Sequence, residues 1–159
     1  MADRPRFITP QGFARLRSEY DELFGVERPK VVEVVSWAAS LGDRSENADY
    51  LYGKKRLREI DRRLAHLARV MKSAKVVDPS RQATDEIRFG ATVELADEDD
   101  NRRTLTIVGD DEADASEGRI GWSAPLARAL IGAKAGDERI VRLPAGEKSY
   151  EVVAIRYPR

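Results

Sequence analysis

Leu57, Ile60, Leu64, Leu67 and Met71 recur at intervals of 3, 4, 3 and 4 residues, with Tyr50 one heptad ahead of them. A helix turning every 3.6 residues brings side chains at that spacing onto one line. Charged residues fill the positions between, so the line is a narrow coiled-coil seam that needs an apolar partner along its length. The chain supplies one upstream. Thr9 has the chemistry of an N-cap and Pro10 suits the first helical position. Phe13, Leu16, Tyr20 and Leu23 then follow at 3, 4 and 3. Gly25 and Pro29 interrupt this pattern and predict a bend or break, after which the register resumes at Val34, Trp37 and Leu41. Gly42, which adopts positive φ at low cost, reads as a helix stop. Two such helices joined by a short turn run antiparallel, so residues 10–75 form a helical hairpin with its tip at 42–47. An arm of roughly thirty residues reaches on the order of 45 Å.

After Asp78-Pro79-Ser80 the period changes to two. Arg88 to Leu95 and Arg103 to Val108 alternate as strands around the polar loop Asp97-Glu98-Asp99-Asp100-Asn101. A short helix is expected from Leu126 to Ile131, between Ser123-Ala124-Pro125 and Gly132. Glu138 to Leu143 and Tyr150 to Tyr157 read as two further strands. The chain is therefore α+β: an N-terminal antiparallel coiled-coil hairpin, 1–78, followed by a small α+β domain with a mostly antiparallel sheet, 79–159.

Composition narrows the chemistry. The 159 residues contain no Cys and one His, which removes disulfides, thiolate nucleophiles, Cys-based zinc sites and any multi-His metal site within one chain. No apolar run approaches a membrane span, and Met1 to Phe7 lacks the apolar stretch of a signal peptide, so a cytoplasmic protein without membrane contact is expected. The 28 basic and 28 acidic residues cancel. They are not evenly spread, because the first half carries a basic excess and the second an equal acidic one, which suggests a polyanionic partner for one part.

Two clusters carry possible function. At the tip, Asp43 and Glu46 stand three residues apart in Gly42-Asp43-Arg44-Ser45-Glu46-Asn47. One reading makes Asp43 an N-cap and Glu46 the closing residue of a capping box. The other has two exposed carboxylates at the end of a stiff arm holding a hard cation such as Mg²⁺, whose remaining ligands a partner supplies. Further on, Lys54, Lys55, Arg56, Arg58, Arg62, Arg63, Arg69, Lys72 and Lys75 face only Glu59 and Asp61. That run suits either a solvated helix face or contact with a phosphate backbone. Other signals fail. Asp97-x-Asp99-x-Asn101 begins like an EF-hand loop but has Arg102 where Gly is required. Gly109-Asp110-Asp111-Glu112-Ala113-Asp114 reads as a solvated acidic connection, and His66 has no partner for metal or triad chemistry.

Where tip, seam and basic run coincide, the chain resembles the Gre family of bacterial transcript cleavage factors, and within it the GreB type. The resemblance rests on the run from Trp37 through Gly42-Asp43-Arg44-Ser45-Glu46-Asn47 to Tyr50, on Lys54 to Leu64, on Ile8-Thr9-Pro10 and Glu27-Arg28-Pro29, and on Ser123 to Gly132. It spans nearly the whole chain. It implies an FKBP-like C-terminal domain, and a factor that acts on bacterial RNA polymerase through the secondary channel and its rim. Asp43 and Glu46 match the family's tip carboxylates, which share a Mg²⁺ with the polymerase. The polymerase then cleaves the 3′ end of backtracked RNA and arrested elongation complexes are rescued. The chain is on this view not itself an enzyme. Asn47 and Ser45 support the tip, Lys54, Lys55 and Arg58 contact the nascent RNA 3′ segment, Ser123 and Pro125 dock on the polymerase, and a monomer is expected. The alternative is a Gre-like channel binder that modulates or inhibits polymerase without cleavage. Two departures stand out. Gly53 costs ~1 kcal/mol relative to Ala inside a helix and predicts softness near the tip. Ala124 precedes Pro125 where a polar residue is expected.

Overall fold

The computed structural model describes residues 5–42 and 46–159. They divide into a helical unit, Phe13–Ser73, and a second unit made of residues 5–12 with Ala74–Arg159. The short strands β1 (Arg6–Ile8) and β2 (Ala74–Val76) flank the hairpin in sequence and pair in parallel within the second unit. A division at 78/79 assigns both strands to the hairpin instead. The reason is long-range pairing that no local pattern announces.

Helix α1 (Pro10–Glu22) does not break at Gly25 and Pro29. It passes through a π-helical turn, Leu23–Glu27, into α2 (Arg28–Ser40). The expected interruption is therefore a change of pitch. Pro29 has no N–H to offer the Gly25 carbonyl, and in an α-helix its ring would collide with that carbonyl. The wider turn relieves both, and the Arg28 N–H reaches back to the Leu23 carbonyl, five residues earlier.

This turn inserts one residue into the helical count and rotates everything after it. The register of Leu16, Tyr20 and Leu23, continued unchanged, would turn Val34, Trp37 and Leu41 inward. They are instead 47%, 56% and 60% exposed. The positions one residue over face inward: Val31 packs on the hairpin core, Val35 lies against Gly53, and Ala38 is fully buried. Helix α3 (Ala48–Ser73) keeps the seam read from sequence, with Ile60, Leu64 and Leu67 buried against Leu23 and with Leu16, Tyr20 and Met71 around them. Ion pairs join the helices at the surface. Arg63 grips Glu19 with two hydrogen bonds, Arg28 holds Asp61 at 2.8 Å, and Arg56 bonds Glu27.

The second unit holds a five-stranded sheet of β3 (Thr92–Ala96), β4 (Arg102–Val108), β5 (Arg119–Gly121), β6 (Glu138–Leu143) and β7 (Gly146–Arg156). Their order is β5-β4-β3-β7-β6, antiparallel except where β4 meets β5. Helix α4 (Pro125–Leu130) contributes Ala127 and Leu130 to a core with Ile87, Val93, Leu105 and Ile107. The β3–β4 loop turns at Asp100, φ +59°, while the Asp97 carboxylate accepts the N–H groups of Asp99 and Asn101. Asp97 thus closes a turn. The architecture is the α+β one expected, with a helical hairpin in one unit and a mainly antiparallel sheet in the other.

Candidate functional site

The tip is built by the ends of two helices. Helix α2 stops at Ser40 with hydrogen bonds from the Leu41 and Gly42 N–H groups to the Ala38 and Ala39 carbonyls, and Gly42 takes φ +96°. That left-handed backbone suits glycine, and it ends the helix. On the other side, Asn47 caps α3. Its Oδ1 accepts the Tyr50 N–H at 3.1 Å, its carbonyl accepts the Leu51 N–H, and its Nδ2 donates to the Ala38 carbonyl of α2 at 2.8 Å. One amide therefore starts α3 and stitches it to the end of α2.

The cap on Asn47 bears on the capping-box reading of Glu46. A capping box on Asp43 would place Glu46 three positions inside the helix. Glu46 instead lies one residue before the cap, exposed, with α3 beginning at Ala48. The capping-box reading of Glu46 does not hold. Asp43 and Ser45 lie outside the described residues. Among the described residues, no group of three His, Cys, Asp or Glu side chains converges on a possible cation position. Among the described residues the tip thus offers the Glu46 carboxylate, a hard oxygen donor that fits Mg²⁺ where other ligands come from elsewhere.

The basic run separates by helix geometry. Glu59 and Asp61 lie on the flanks of α3, and each is engaged, Glu59 by Arg56 and Asp61 by Arg28. The hydrogen bond from Arg28 holds the Asp61 carboxyl below its usual range, and Arg63 does the same to Glu19. Lys54, Lys55, Arg58, Arg62 and Arg69 are exposed and make no ion pair among the described residues. Their spacing sets Lys55, Arg58, Arg62 and Arg69 on the face opposite the seam and Lys54 on its flank. From Lys55 to Arg69 this stripe runs about 21 Å at 1.5 Å per residue. Seen as structure, the run has two parts, arginines that fasten the hairpin and cations that remain available.

In the second unit, Ser123 donates its N–H to Asp110 at 3.0 Å and its carbonyl accepts from Arg128 Nε at 2.9 Å. Pro125 opens α4 and is exposed, while Ala124 stands at the N-cap without a side-chain bond. The loop Asp110–Asp114 is not merely solvated. Glu112 is buried and accepts hydrogen bonds from the Thr9 N–H and hydroxyl and from the Gly109 N–H, and the Thr9 hydroxyl in turn accepts the Gly12 N–H. Asp111 pairs with Arg6, and Asp114 with Arg119.

The chain matches two family models that together cover most of it: the N-terminal domain of transcription elongation factors over residues 6–76, and the C-terminal GreA/GreB domain over residues 82–157. An α+β chain with these domains and this tip belongs to the GreA/GreB family of transcription elongation factors. Among its relatives, transcription elongation factor GreB of Neisseria meningitidis serogroup B is 49% identical over 95% of this chain and 93% of its own. GreB of Pseudomonas aeruginosa is 51% identical over 95% and 90%. Among solved structures, GreA factor homolog 1 (Gfh1) of Thermus thermophilus matches at 22% identity over 96% of this chain and 99% of that one, with a TM-score of 0.45.

Proposed function

We propose that this chain enters the secondary channel of bacterial RNA polymerase hairpin first and stimulates the polymerase's own cleavage of backtracked RNA, freeing arrested elongation complexes. The observation that carries this is the tip. Asn47 caps α3 and ties it to the end of α2, and Glu46 lies exposed one residue before that cap, at the end of the hairpin. The 26 residues of α3 make an arm of about 39 Å, long enough to carry that carboxylate to a deep site.

Asp43 and Glu46 are the residues that would hold a Mg²⁺ shared with the polymerase's carboxylates. In two-metal phosphodiester hydrolysis such an ion activates the attacking oxygen or stabilises the leaving one. Two carboxylates alone bind Mg²⁺ weakly, so the chain is silent until it meets a site that supplies the other ligands. Asn47 keeps the two helix ends together and thereby fixes where Glu46 is offered. Lys54, Lys55 and Arg58, which make no ion pair among the described residues, take phosphates of the displaced RNA 3′ segment. Ser123 and Pro125, at the start of α4, belong to the surface that docks at the channel rim.

The chain is on this account not a nuclease. Mixed with free RNA and Mg²⁺ it leaves the RNA intact; added to a stalled, backtracked elongation complex it releases 3′ fragments. Occupation of the channel without any fragment release would instead support a purely modulating channel binder.

A further inference from the structure

The phase shift in the hairpin leaves an apolar face in solvent beside unopposed cations. Lys30, Val34, Trp37 and Leu41 follow one another along one face of α2 toward the tip, the last three about half exposed or more. Facing Val34 from α3 is Tyr52, 73% exposed, the most exposed large apolar side chain among the described residues. Between the helices lies a groove of about 170 Å³ bordered by Lys30, Val31, Val34, Tyr52, Gly53 and Arg56. Next to Tyr52, Gly53 lets Val35 of α2 approach closely. None of the bordering residues is acidic. Arg56 is matched by Glu27 and Glu59. Lys30 and Lys55, the latter one turn beyond Tyr52 on the same side of α3, make no ion pair among the described residues.

An apolar slot with an exposed aromatic ring, flanked by free ammonium groups, fits a ligand that is flat and apolar at its centre and anionic at its edge. A nucleotide in a flexible strand is such a ligand: the base stacks on an aromatic side chain while lysines take the phosphates. An apolar protein surface would fill the slot but leave the surplus positive charge unmatched. We propose that this groove seats one base of single-stranded RNA against Tyr52, with the neighbouring phosphates on Lys30 and Lys55. The proposal deepens the functional reading above and rests on it for the source of the RNA. It adds base stacking to a surface otherwise argued from charge alone.

The test is fluorescence anisotropy of the full chain at low salt, with a labelled single-stranded RNA of about ten nucleotides and a strand of equal length built from abasic ribose phosphates. The wild-type chain should bind the base-bearing strand more tightly. Tyr52→Ala should weaken that binding about tenfold and leave the abasic strand unaffected, while Tyr52→Phe keeps wild-type affinity. Lys55→Ala should weaken both strands. Glu46→Gln should change neither, so a fault in the tip assignment and a fault in the groove give different patterns. The proposal is overturned if the wild type does not distinguish the two strands, or if Tyr52→Ala binds the base-bearing strand normally. Loss of polymerase affinity in Tyr52→Ala with RNA binding intact would assign the groove to a protein surface, and that too overturns it.

Discussion

At Gly53 the absence of a side chain sets how closely two helices approach. An added Cβ would stand 2.5 Å from Val35 Cγ2. By helix propensity alone Gly53→Ala should stabilise by about 1 kcal/mol, yet overpacking costs about 1–3 kcal/mol. The substitution is therefore expected to lower hairpin stability in the native background and to raise it when Val35 is also changed to Ala. Urea unfolding of the four proteins in that cycle, followed by helical circular dichroism, checks the change of sign. Stabilisation in both backgrounds would contradict the close approach. Glu112 carries a related lesson. Composition makes the loop around it look solvated, but its carboxylate is seated by Thr9, 103 residues away in sequence, and by Gly109. At Gly12 an added Cβ would fall 2.2 Å from that carboxylate. Such a seat is invisible in a local pattern because its partners are not local.

The hairpin itself was largely legible, because a 3-4 spacing has one helical interpretation and Ile60, Leu64 and Leu67 fill the seam they predict. What the pattern did not show is its phase beyond Pro29. Gly25 and Pro29 announced an interruption, but a break, a kink and a π-helical turn share that signature, and each leaves a different face buried. The π turn made Trp37 an exposed residue when the continued heptad made it a core one. Deleting Gly25 together with Pro29→Ala should restore a plain α-helical count and rotate Val34, Trp37 and Leu41 inward. In a Trp122→Phe background, the Trp37 emission should then shift to the blue. Unchanged emission would mean that the turn is not what sets the phase. The strands were legible as period-two runs, and their pairing was not. β1 and β2 are three residues each, too short for any alternation to stand out.

Across the whole molecule, the balanced charge resolves into separate tasks. Some of the arginines, Arg28, Arg56 and Arg63, fasten the hairpin, and Lys55, Arg58, Arg62 and Arg69, without an ion pair among the described residues, form one stripe on α3. The acidic loop of the second unit is spent on caps and ion pairs inside that unit. The proposed function depends on the two tip carboxylates, Asp43 and Glu46, the second exposed one residue before the cap of α3. The most direct measurement is single-turnover cleavage of a defined backtracked elongation complex across a Mg²⁺ titration, with wild-type chain and Glu46→Gln at concentrations that saturate the polymerase. The account predicts that Glu46→Gln still competes with wild type for the polymerase but leaves cleavage near the rate of polymerase alone, with partial recovery at high Mg²⁺. Cleavage by Glu46→Gln at the wild-type rate and the wild-type Mg²⁺ dependence would contradict it.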